Sequence, residues 1–339
     1  PDEPAAADGG DAWAGSFERQ EIWVMNTEYR LFGEDGPRVN REATHAGRLD
    51  EMAKCLAAAP GCAAVRLFWA DAVVSIEGPE LGEWQRWIGK RAPSEQQMVA
   101  FMLPNIQAAA RGEARTRTLK EAKAAWYSHG AWGDPAPDAP ALGGQPTPGV
   151  HVRRAALQEG EEWRDGAWDD KLQAWADKCW PTRPLRQFAA EFLENLTTNQ
   201  WSHVDFSQKR SQAGLGVMLE YSGADLRFAA RTPWSRAVGG GLAGPQPEAC
   251  AVVLGGPKGM SGPIKDLVRE VFEASQVPLV EVCLGPREQM AHACVAFLRL
   301  QDDAGLFRAA AVDLLRMGKA RYEAMTREVE SAARARLAS

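Results

Sequence analysis

The clearest pattern along the chain is an unbroken apolar run at 251–254 that ends in Gly255-Gly256-Pro257-Lys258-Gly259 and leads into a helical period. A strand with no polar alternation predicts burial on both faces, as in the middle of a parallel sheet. A second apolar run, 278–284, ends at Gly285-Pro286, and one helix separates the two runs. Helical spacing returns over 289–300, which is strongly apolar, and over 306–330, which is amphipathic and ends in alternating charges. The order β-α-β-α-α predicts a parallel sheet with helices on its faces.

Upstream, 21–25 and 64–69 read as strands, with Leu49, Met52, Ala53 and Leu56 marking a helix over 47–59 between them. From 79 to 123 the spacing is helical, with Trp84, Trp87 and Ile88 on one face. A second helix there starts at Ser94 and is expected to break at Pro104. Residues 133–149 hold Pro135, Pro137, Pro140, Pro146 and Pro148 among glycines and alanines, which predicts an extended linker. Beyond it come helical patterns around Trp163–Cys179 and over 185–196, then strands at 216–220 and 226–230. The expected organisation is a flexible terminus over 1–15, an N-terminal α/β and helical segment over 16–132, the linker, and an α/β domain over 150–339.

Composition adds bounds. The chain has 339 residues, 45% of them apolar and 25% charged, and no run approaches the roughly 18 apolar residues a membrane helix needs. A soluble, intracellular protein with no membrane span is the expectation. The formal charge of −6 means that any RNA must be held by a local patch or through a partner. Six cysteines without a Cys-x-x-Cys pair read as reduced thiols. The five histidines never fall at ligand spacing, so no metal is expected. Residues 1–15 read as a processed terminus, and an organellar address, chloroplast or mitochondrion, stays open.

The glycine-rich turn carries the main chemical signal. Its glycines accept positive φ and expose backbone N–H groups, while Pro257 sets the direction of the turn. Such a loop can hold an adenine, a ribose or a carboxylate through the main chain. It lacks the spacing of a Walker loop and of the dinucleotide fingerprint. A basic run (Arg111, Arg115, Arg117, Lys120, Lys123) beside Trp126 and Tyr127 suits either RNA backbone or an ordinary solvated face. Ser202, His203 and Asp205 sit too close in sequence for a catalytic triad.

The sequence VVLGGPKGMS, the strand VEVCLGP and the apolar helix that follows resemble the SPOUT class of trefoil-knotted RNA methyltransferases. The resemblance covers roughly 250–300. It implies an α/β fold in which a C-terminal SPOUT-like knotted parallel sheet with flanking helices follows an N-terminal α/β and helical extension. It also implies S-adenosylmethionine as cofactor, held by Leu254, Gly255, Gly256, Pro257 and Gly259 of the first loop and by Leu284, Gly285, Pro286 and Met290 of the second. RNA, ribosomal or transfer, is the implied substrate and a homodimer the implied assembly. Arg287, Glu288 and His292 are the candidate catalytic groups. Lys258 stands where the family commonly has an acidic residue, and Ala296 stands where one branch has an arginine. These departures keep a second reading open: a non-catalytic, SPOUT-derived scaffold subunit of a larger assembly.

Overall fold

The computed structural model describes residues 16–32, 48–78, 81–82, 84–86, 95–110, 150–154, 214–226, 247–257, 259–275, 277–284, 289–303 and 305–338. In chain order the elements are β1 (Arg19–Asn26), α1 (Leu49–Ala57), β2 (Ala64–Trp69), β3 (Ala72–Glu77), α2 (Glu95–Ala110), β4 (Val150–Arg154) and β5 (Leu215–Asp225). They continue with β6 (Ala249–Gly255), α3 (Gly262–Ala274), β7 (Leu279–Cys283), α4 (Ala291–Asp303), α5 (Leu306–Met317) and α6 (Lys319–Ala338).

All seven strands join one sheet in the order β4-β3-β2-β1-β6-β5-β7. The five from β2 to β7 run parallel, and β3 and β4 add an antiparallel edge. The fold is therefore mixed α/β, with a mainly parallel sheet and helices on both faces. The strands expected of a separate N-terminal segment lie inside this sheet, for β1 pairs with β2 on one side and with β6 on the other. Val24 is opposite Leu254, and Met25 is opposite Gly255. The linker over 133–149, the helices over 163–179 and 185–196, and the basic run lie outside the described residues.

Alternation along each strand sorts side chains into two cores. On one face Trp23, Met25, Phe68, Met218, Ala251 and Val253 pack against Ile264, Leu267, Val268 and Phe272 of α3. Trp23 sits at its centre, its ring centroid 5.5 Å from Phe68 and 5.8 Å from Phe272. On the other face Ile22, Val24, Leu67, Val217, Val252 and Val282 meet α1, α2, α4 and α5 through Met52, Met102, Val295 and Phe307. Burial on both faces explains why β6 reads as an unbroken apolar run.

Besides β4, for which no strand was expected, three elements depart from expectation. Helix α2 runs through Pro104 to Ala110, because Val99, Met102 and Ile106 are all buried in the core and outweigh one lost backbone bond. The helix expected over 306–330 is two, α5 and α6, joined at Gly318 with φ +73°. Strand β3 follows β2 through Ala70-Asp71, where Asp71 accepts from the Leu31 and Phe32 N–H groups at 2.6 and 2.9 Å. Segments 227–246 and 285–288, on which a knot would depend, lie outside the described residues.

Candidate functional site

Ligands of open parallel sheets bind beyond the carboxyl ends of the strands, where the chain leaves toward opposite faces. That point here is the end of β5, β6 and β7. Strand β6 connects to β7 by way of α3 on one face, skipping over β5, and β7 connects to α4 on the other. A cavity of about 320 Å³ lies between them.

Its first wall is the glycine loop. Leu254, Gly255, Gly256, Pro257 and Gly259 all line the cavity. The Gly256 N–H donates to the Met25 carbonyl at 2.7 Å, and the Gly259 N–H donates to the Gly256 carbonyl at 2.9 Å. A Cβ on Gly256 would lie 2.8 Å from Asn26 Oδ1 and 3.1 Å from the Met25 oxygen. Gly256 is thus required for the close approach of β1. Gly259, at φ +81°, closes the turn and hands the chain to α3.

The second wall is the end of β7 with the start of α4, where Val282, Cys283, Leu284, Gln289, Ala291 and Cys294 line the cavity. The two glycine-ended strands therefore open onto one space. Gly285, Pro286, Arg287 and Glu288 lie outside the described residues. Met290 is 41% exposed and is not among the lining residues, although its neighbours Gln289 and Ala291 are.

The third wall was not legible as part of a site. Leu219, Glu220 and Tyr221 enter from β5 because that strand bulges: Val282 of β7 is opposite Leu219 and again opposite Ala224. Glu220 pairs with Lys265 of α3, Nζ to Oε2 at 2.6 Å, and both side chains line the cavity. Lys265 is in the first turn of α3 and donates its backbone N–H to the Ser261 carbonyl at 3.1 Å. The signal in the sequence was Gly223, since an isolated glycine in a strand pattern marks a bulge.

His292 sits elsewhere. Its Nδ1 lies 2.6 Å from Glu51 Oε1, and its backbone N–H donates to the same oxygen at 3.2 Å. Glu51 is fully buried on α1, so this contact ties the start of α4 to α1. His292 is not among the residues lining the cavity.

The cavity is thus walled by Leu219, Leu254, Met260, Val282, Leu284 and Ala291, with one carboxylate–ammonium pair at its side. This suits a ligand with a flat apolar part and charged ends. Burial pushes the Cys294 thiol up, which keeps it neutral and disfavours its use as a nucleophile. Among the described residues no group of three or more His, Cys, Asp or Glu side chains could hold a metal ion, and no helix is long and apolar enough to cross a membrane. Cys55, Cys62, Cys250 and Cys294 are free thiols.

No family model matches the chain, and no curated protein matches it in sequence. Among solved structures the chain is similar to Nep1 from Archaeoglobus fulgidus, crystallised with S-adenosylhomocysteine. The identity is 9%, over 87% of this chain and 99% of that one, with a TM-score of 0.37. A likeness this loose leaves the chain's own geometry to carry the reading.

Proposed function

We propose that the chain is an S-adenosylmethionine-dependent RNA methyltransferase, with its cofactor in the cavity at the ends of β5, β6 and β7. The observation that carries this reading is the convergence of both glycine-ended strands, quoted above for their SPOUT resemblance, on one space at the carboxyl edge of the sheet.

The residues present fit the cofactor. Leu219, Leu254, Val282 and Leu284 offer apolar surface to the adenine, and Glu220 and Lys265 offer opposite charges to the amino-acid end and the sulfonium. Bound there, S-adenosylmethionine supplies an electrophilic methyl group. The chain's part is to orient the cofactor and exclude water, which requires few ionisable groups. Arg287 and Glu288 leave the second turn next to Leu284 in sequence, and they remain the proposed groups for phosphate contact and proton removal. The proposed assembly is a homodimer.

One observation favours the scaffold reading. His292, the one described member of the catalytic set, is tied to Glu51 rather than set in the cavity wall. Calorimetric titration with S-adenosylhomocysteine separates the two readings. Binding at micromolar concentration supports the enzyme, and a flat titration with no thermal shift leaves the scaffold.

A further inference from the structure

We propose that Tyr221 is a stacking platform for an unpaired RNA base at the mouth of the cavity, with Lys319 serving the adjoining phosphate. This rests on reading the cavity as the methyl-donor site, since the acceptor base must then arrive at its mouth. Tyr221 lines the cavity and is nevertheless 70% exposed. A large aromatic left in water beside a pocket calls for a partner in a way that an isolated surface residue does not.

The mount of the ring is firm. The bulge sends Glu220, Tyr221, Ser222 and Gly223 outward between two successive pairings with Val282. Glu220 is held by Lys265 at 2.6 Å, and the Ser222 carbonyl accepts from Lys319 Nζ. At Gly223 the chain runs so close to β7 that a Cβ would lie 2.5 Å from the Val282 backbone. Tyr221 and Ser222 are the exposed residues of the four, and Tyr221 is the aromatic one on this anchored segment. A side chain on an anchored backbone loses less freedom when a planar ligand stacks on it than one on a loose loop.

The surrounding charge selects nucleic acid over an apolar protein surface. Lys319 reaches the bulge while its side chain stays 49% exposed. Glu323 lies 3.9 Å from the Lys319 ammonium and tempers it without removing it. An aromatic face with a cation beside it suits single-stranded RNA held through stacking and backbone charge without reading of its sequence.

The test titrates the full chain into fluorescein-labelled single strands of oligouridylate and oligoadenylate at low salt, followed by anisotropy. The same preparations are titrated with S-adenosylhomocysteine. Tyr221→Ala should weaken binding of the strands about tenfold and that of S-adenosylhomocysteine by clearly less, and Tyr221→Phe should keep strand binding within about twofold. Wild-type binding of neither strand, unchanged binding by Tyr221→Ala, or an equal loss of S-adenosylhomocysteine affinity would each overturn the proposal. Tyr221-dependent RNA binding with a flat S-adenosylhomocysteine titration would support the stacking site while removing the methyl-transfer reading.

Discussion

The Gly256 N–H donates to the Met25 carbonyl at 2.7 Å, so the glycine loop at the end of β6 is built against the end of β1, some two hundred residues earlier in the chain. The loop's shape therefore depends on the N-terminal part of the chain. Gly256→Val would force a side chain onto Asn26 Oδ1 and the Met25 oxygen. We predict a loss of about 1–3 kcal/mol in urea denaturation. Gly262→Ala, which meets nothing within 4 Å, should stay within about 0.5 kcal/mol of wild type.

Glu51 is the corresponding tie for α4. Removing its carboxylate leaves the His292 N–H and ring without their partner inside the interface of α1 and α4. Glu51→Ala should cost about 1–3 kcal/mol of stability in urea denaturation. Hydrogen exchange in the first turn of α4 should quicken more than in α5.

Acid stability should depend on Glu21. Burial alone would raise its pKa, but the guanidinium of Arg66, at 2.7 and 3.0 Å, and that of Arg19, at 3.0 Å, together hold it below its ordinary value. A carboxylate lowered in the folded state contributes stability above its unfolded pKa of 4.5 and loses it as pH falls through the lower folded value. Glu21→Gln should cost about 3 kcal/mol at neutral pH, because the buried Arg66 guanidinium loses its closest carboxylate and keeps the more exposed Glu77 at 3.3 Å. The variant's stability should also fall less steeply than wild type below pH 4.5, measured by urea titrations across that range. Asp71 and Asp302 act in the opposite sense. Burial raises both, so their contribution is present at low pH and is lost as pH rises through their folded values.

Within the cavity Lys265 is the cation that faces Glu220. Lys265→Met keeps the length of the stem and removes the charge. It should weaken S-adenosylhomocysteine about tenfold, or about 1.4 kcal/mol, in calorimetry. Glu220→Gln should weaken it less, since it keeps a polar acceptor at the same place.

How far the sequence reached follows from where the information lay. Strands β6 and β7 and the helices α3 and α4 were legible because each is a local apolar period ended by glycine or proline. Strand β3 was missed because its hairpin turns through Ala70-Asp71, with no glycine to announce it. The sharing of one sheet by β1 and β6 is a long-range pairing that no local pattern encodes. That Leu254, Gly255, Gly256, Pro257, Gly259 and Leu284 would lie together could be read from their glycine ends, and they line one cavity. Glu220, Tyr221 and Lys265 could not, since a bulge in β5 and the first turn of α3 bring them together only in the folded sheet.

The central claim is that the ends of β6 and β7 form a single ligand site, and hydrogen–deuterium exchange with and without saturating S-adenosylhomocysteine tests it most directly. The account predicts simultaneous slowing of exchange at 254–260 and 282–294, with β3 and β4 unchanged. Unchanged exchange in both segments, or protection confined to residues away from the cavity, would contradict it.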